Sequence, residues 1–151
     1  MSRPFFTPER AARLREIMDR YRGTPFAANG LAVGPRGGIS CQMLAAHIMR
    51  EAGLETPDPP AVAMVHWKFT TRSLVEEYMN SRPEFERLDE APPAVGDLLG
   101  FLLGRCLHHV GIYAGDNEFF HVMARHTAGY STLYDPTWST RRAALWRPIY
   151  A

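Results

Sequence analysis

The chain has 151 residues, 46% of them apolar and 22% charged, with a formal net charge of +1 at pH 7. That length suits one domain spanning 1–151 around a single buried core, and the near-neutral balance argues against a nucleic-acid partner. Two cysteines, Cys41 and Cys106, without a Cys-x-x-Cys pair exclude a disulfide framework, although one bond between the two stays open.

Met1 to Pro8 lacks the charged start and apolar run of a secretory signal, so the expectation is a chain that is cytoplasmic as synthesised. Thr7-Pro8-Glu9 opens a first helix: Thr7 as N-cap, Pro8 at the first helical position, Glu9 at the positive end of the dipole. Ala11, Leu14, Ile17, Met18 and Tyr21 form its apolar stripe, Gly23 ends it, and its arginines are read as a solvated face. Thr24 to Gly38 is rich in Gly, Pro, Ala and Asn without periodicity and reads as a long loop. Ser40 then caps a second helix with Cys41 in its first turn. Leu44, His47, Ile48 and Ala52 recur at helical spacing, with His47 expected in the core, and Gly53 closes the segment. Repeated prolines keep 55–62 out of a helix.

Ser73 and Glu76 form a capping box for a short helix bearing Leu74, Val75, Tyr78 and Met79. Residues 82–93, polar and proline-punctuated, read as connection. The last third changes character. Asp97 to Leu103 is an apolar run of strand length, far short of the ~20 residues of a membrane span. His109 to Tyr113 and Glu118 to Met123 flank the turn residues Ala114-Gly115-Asp116-Asn117, and strands are expected at 130–134 and 145–149. Helices first and an antiparallel meander of about five strands afterwards make an α+β domain.

Cys41 has two readings. A cysteine at a helix start feels the positive dipole, which favours thiolate and nucleophilic use; a free cysteine is also often just a small buried residue. The histidines bear on that choice. Counted from a turn centred on Gly115-Asp116, His109 and His121 fall at nearly equal distances and become cross-strand neighbours. A helix-start thiol with one imidazole held by a second polar group is the arrangement thiol catalysis requires.

At these residues the chain resembles the NlpC/P60 cysteine peptidases. The resemblance rests on Gly23-Thr24-Pro25-Phe26, Gly38-Ile39-Ser40-Cys41-Gln42-Met43-Leu44 and Gly96-Asp97-Leu98-Leu99, then on His109-Val110-Gly111-Ile112-Tyr113 and Phe119-Phe120-His121-Val122. It runs from about Tyr21 to the C-terminus, and the family's twelve-residue interval between its histidines is reproduced. Membership implies a papain-like α+β fold with the nucleophile helix packed on a C-terminal antiparallel sheet. It implies hydrolysis of peptidoglycan stem peptides, commonly at a D-glutamyl–diamino-acid bond, with no cofactor or metal. It also implies Cys41 as nucleophile, His109 as base and His121 as the orienting third member. Asp135-Pro136-Thr137-Trp138 with Arg141-Arg142 resembles the ending of phage-tail-associated members, which implies phage-tail or gene-transfer-particle proteins as partners and action in the cell envelope.

Four residues near the thiol depart from the family pattern. Ser40 stands where Asp is usual; it still caps the helix, and loss of the carboxylate favours thiolate. Gln42 and Met43 replace small residues and narrow the site or shift the helix. Phe26 stands where tyrosine is frequent, so an oxyanion hole would rest on backbone N–H groups at the helix start, that of Cys41 included. Three other readings stay open: a wall-binding or tail module that keeps the fold without catalysis, a thiol acyltransferase, and a metal site from Cys41, Cys106, His108, His109, His121 and His126. The spacings of that last set match no structural zinc pattern.

Overall fold

Thr7 accepts a hydrogen bond from the Arg10 amide, and helix α1 runs Pro8–Tyr21 with Leu14, Ile17, Met18 and Tyr21 buried. The computed structural model describes residues 2–28, 30–60 and 70–150. The arginines of α1 are not simply solvated. Arg10 lies over the Phe5 ring at 4.4 Å, Arg15 over Tyr130 at 4.0 Å, and Arg20 bridges Glu51 at 2.6 Å. Stem burial against aromatic faces lets such side chains cover apolar surface while the charge stays wet.

The span expected as a loop holds a small hairpin, β1 (Leu31–Ala32) with β2 (Gly38–Ile39). A Cβ at Gly38 would stand 2.6 Å from the Ala27 Cβ, so glycine lets β2 close onto the 24–27 segment. Helix α2 (Cys41–Glu51) follows directly, its Met43 amide donating to Ser40 Oγ at 3.3 Å. Met43, Leu44, Ala45, Ala46, Ile48 and Met49 are all buried, a wider apolar face than the sequence stripe. The helix packs between α1 and the main sheet, and the core position expected for His47 is corrected to a half-buried one. Residues 55–60 form no regular element, as expected; 61 and 62 lie outside the described residues.

Helix α3 (Leu74–Ser81) is capped by Ser73, which accepts from the Glu76 amide at 2.8 Å. Only half of the capping box forms, because the Glu76 carboxylate pairs with Arg87 at 2.7 Å instead. Next come β3 (Phe85–Arg87), β4 (Leu98–Leu103), β5 (Cys106–Gly115), β6 (Glu118–His121), β7 (Gly129–Thr132), the one-turn α4 (Pro136–Ser139) and β8 (Arg142–Pro148). They build a six-stranded antiparallel sheet in the order β3-β8-β4-β5-β6-β7, one strand more than expected. The extra strand, β3, lies in the segment read as connection.

Each face of the sheet is covered. Val110, Ile112 and Phe120 point to the side of α1, α2 and α3, in one apolar cluster with Leu44, Ile48, Met49 and Trp146. Leu99, Phe101, Tyr113, Phe119 and Leu145 point to the other side, where Trp138 of α4 closes over them. From His109 to Tyr113, past the register shift at His108, the strand period of two assigns alternate residues of β5 to the two sides. His109 therefore shares the Trp138 side. Among the described residues, no helix is long and apolar enough to cross a membrane.

Candidate active site

The turn between β5 and β6 decides how the two histidines meet. Asp116 and Asn117 both have positive φ, 53° and 59°, so the two-residue loop is centred on Asp116-Asn117, one residue later than the sequence count. The register is Ile112↔Phe120 and Tyr113↔Phe119, and its continuation sets Gly111 opposite His121. His109 is therefore a diagonal neighbour of His121, not the direct one expected. The intervening glycine makes the diagonal work. A Cβ on Gly111 would lie 2.7 Å from the Phe119 ring and 3.4 Å from the His121 Cβ, space that the strand crossing needs. Diagonal pairs are within reach of ring side chains, and here His109 Nε2 and His121 Nδ1 stand 2.8 Å apart.

The pair continues to a residue the sequence reading did not single out. His121 Nε2 is 2.7 Å from Ser131 Oγ, delivered by the β6–β7 register Phe119↔Ser131. Trp138 is the other omission. Its ring lies 5.5 Å from that of His109 and 4.9 Å from that of His121, with Phe101 and Phe119 completing an aromatic enclosure. The Asp-Pro-x-Trp stretch thereby gains a structural explanation. Asp135 caps α4 through the Thr137 amide at 2.9 Å, Pro136 opens the turn, and the turn aims Trp138 at the histidines.

Enclosure sets the charge state. His109 is 2% exposed and His121 7% exposed. Burial drives the imidazole of His109 well below its ordinary range, aided by repulsion from His121 and His108. Burial likewise lowers His121 to about 4, with His126 adding to the effect. Both rings are neutral at neutral pH.

Cys41 sits at the start of α2, 6% exposed. Tyr113 bonds through its N–H to Asp97 and through its C=O to Gly96, so that residue faces β4 along the backbone. Alternation then turns the Val110 N–H to the β6 side, and β6 ends at His121. The thiol lies near that N–H, whose residue adjoins His109 along the backbone. Burial pushes the thiol up to about 11, opposed by the backbone N–H groups of Val110, Gln42 and Cys41. The thiolate expected from the helix dipole is therefore not the resting form: desolvation outweighs the N-terminal donors. The structure joins His109 to His121; it does not hydrogen-bond Cys41 to either, and nothing among the described residues hydrogen-bonds His109 Nδ1.

Phe26 is half-buried, bridged through its backbone to Ile39 two residues before the thiol, and its amide donates to His126 O at 3.0 Å. Ser40 is buried as the cap; Gln42 is half-buried and lines an apolar hollow with Ala45, Met49 and Val110. Cys106 is free and buried, its thiol 3.6 Å from the Arg72 carbonyl, and Cys41 is also free, so no disulfide joins them. His108 is half-buried and falls at the register shift where Phe101 pairs with His109 and Leu102 with Leu107, so alternation does not fix its facing. Among the described residues, no group of three or more His, Cys, Asp or Glu could hold a metal ion.

Comparison with known proteins gives the family. The model of the NlpC/P60 family matches residues 23–147. The chain is 29% identical over 126 residues to Murein DD-endopeptidase MepS/Murein LD-carboxypeptidase of Escherichia coli (strain K12), a match covering 83% of this chain. It spans 57% of that relative's length. Among solved structures, an NlpC/P60 family protein from Bacillus cereus aligns with a TM-score of 0.65 at 19% identity, over 93% of this chain and 40% of that one. A lipoprotein-like NLP/P60 protein from Staphylococcus aureus aligns with a TM-score of 0.62 at 23% identity, over 98% and 44%. The NlpC/p60 domain of peptidoglycan hydrolase SagA gives 0.57 at 15%, over 93% and 98%.

Proposed function

The chain belongs to the NlpC/P60 family, and from that premise we propose that it hydrolyses amide bonds in peptidoglycan stem peptides through an acyl-enzyme on Cys41. The observation that carries this reading is the histidine pair: His109 Nε2 is held by His121 at 2.8 Å, and the next residue along β5, Val110, has its amide near the thiol at the start of α2.

The mechanism follows from the hydrogen bonds. If His121 Nε2–H donates to Ser131, its Nδ1 is an acceptor and takes the N–H of His109 Nε2. His109 Nδ1 is then the basic nitrogen. It removes the Cys41 proton as the sulfur attacks the substrate carbonyl; with a thiol near 11 and a neutral imidazole, transfer accompanies attack rather than preceding it. Backbone N–H groups at the start of α2, that of Cys41 included, stabilise the oxyanion. Collapse breaks the C–N bond, and the His109 imidazolium returns its proton to the departing amine. Water, deprotonated by the same Nδ1, then splits the thioester and restores the thiol.

The test is digestion of purified muropeptides by the protein and by Cys41→Ala, read by mass spectrometry. New amine-terminated fragments with the wild type alone are expected. Thiol burial is the observation favouring a second reading, a wall-binding module without catalysis. No new fragments with either protein, together with equal sedimentation of both on intact sacculi, would select that reading.

A further inference from the structure

When His109 takes the thiol proton, the buried imidazole pair becomes positively charged. Among the described residues no carboxylate hydrogen-bonds or ion-pairs with either ring: His109 bonds to His121, and His121 to Ser131. The other titratable groups that act on the pair are imidazoles as well, His108 on His109 and His126 on His121, and both oppose a further proton. A cation formed in such surroundings is costly unless something other than a carboxylate offsets it.

What encloses the pair is aromatic. The Trp138 ring lies 5.5 Å from that of His109, with 33° between the planes, closer to stacked than to edge-on. The same indole lies 4.9 Å from the His121 ring. A cation within about 6 Å of a ring centroid is attracted by the negative face, and indole has the strongest such face among the side chains. The attraction grows when water is kept away. Trp138 is itself buried, packed on Phe101 at 5.3 Å and Phe119 at 5.5 Å. Its backbone is fixed at both ends, the amide donating to Asp135 O at 2.9 Å and the carbonyl accepting from the Arg141 amide at 3.1 Å.

We propose that Trp138 is a positioning residue for the hydrolysis, its indole face attracting the imidazolium that forms on His109 where the site offers no carboxylate. The role goes beyond exclusion of water, and it rests on the hydrolase reading for the step in which that charge forms.

Exclusion of water and attraction by the face act in opposite directions on the charge, and a change that keeps the shape of the ring separates them. Fluorine drains the negative face of an indole while altering its size little. The protein is prepared with tryptophan and with mono-, di- and trifluorotryptophan, and the series is repeated in Trp138→Phe because every tryptophan is replaced. Two quantities are read. At about pH 5, roughly one unit above the folded value of His121, imidazole carbon shifts in the NMR spectrum give the share of protein with a proton on the pair. At neutral pH, muropeptide digestion gives kcat and KM. Both the protonated share and kcat fall stepwise with fluorination, about fivefold over the series, with KM unchanged. In Trp138→Phe the same series is flat. A flat protonated share, a flat kcat, or a dependence that persists in Trp138→Phe overturns the proposal, and leaves Trp138 as a seal. A protonated share that falls with fluorination in a protein that cleaves no muropeptide upholds the contact between indole and imidazolium and overturns the hydrolase reading instead.

Discussion

Ser131 Oγ stands 2.7 Å from His121 Nε2, so the imidazole pair ends on the hydroxyl of a half-buried serine. With His121 Nε2–H as the donor, as proposed above, this bond holds the tautomer of His121 and, through it, that of His109. Ser131→Ala removes the selection, and kcat is expected to fall about tenfold with KM little changed. Ser131→Thr restores the hydroxyl and most of the rate. The ¹⁵N shift of His121 Nε2 reports the tautomer directly; an unaltered shift in Ser131→Ala would show that the serine is a bystander.

Cys41 alkylation tests the resting charge state. The thiolate is the reactive form, and burial holds the thiol up to about 11. The iodoacetamide rate should therefore climb through the alkaline range and level only near that value. Levelling at or below about 8.5, the ordinary thiol range, would mean a preformed thiolate and a more open site than described here.

Acid should unfold the protein through its histidines. His109 and His121 are neutral when folded because their folded pKa values lie below the ordinary imidazole value. Below that ordinary value the unfolded chain binds the extra protons, so stability is intact above it and is lost as pH falls through the folded values. His121, folded at about 4, accounts for on the order of 3 kcal/mol of that loss. Denaturant midpoints measured from pH 7 to 4 should fall in wild type and flatten in His121→Asn.

Gly111→Ala tests the crossing of the two strands. The new methyl meets the Phe119 ring at 2.7 Å, against a fully buried neighbour with no room to retreat. Overpacking of this kind costs about 1–3 kcal/mol. The variant should melt lower and lose more activity than stability, because Phe119 also packs on His121.

Asp97 joins the start of β4 to the end of β8. Its carboxylate accepts from Arg147 Nε at 3.0 Å and Nη2 at 2.8 Å, and from the Ala94 amide at 2.7 Å, while the residue is 1% exposed. Asp97→Ala strands the guanidinium and is expected to cost about 3 kcal/mol in a denaturant titration. The double variant with Arg147→Met should recover part of it; failure to recover would assign the loss to the Ala94 bond.

Much of the fold was written locally. Thr7, Ser40 and Ser73 each announced a helix within four residues of its start, since a cap hydrogen bond spans only that distance. The apolar run of β4 and the turn residues before β6 were equally plain. Strand β3 was not, because Phe85–Arg87 buries one side chain and owes its conformation to pairing with β8, some sixty residues later. His47 shows the opposite failure: its helical spacing was right, but the packing of α2 against two layers left that position half-buried.

The same division runs through the site. Cys41, His109 and His121 could be singled out from residue type, spacing and resemblance, because a cysteine at a helix start and two histidines on consecutive strands are features of short segments. Ser131 and Trp138 could not, since a serine in a strand and a tryptophan after a turn look ordinary until register and packing bring them to His121. The protonation of the centre was out of reach for a deeper reason. Desolvation is summed over every group around the thiol and the rings, contributed by β4, β5, β6 and α4 together, and it overrode the dipole argument available from the helix alone. Chemistry carried by a residue is legible in order along the chain; chemistry imposed by its surroundings exists once those surroundings are assembled.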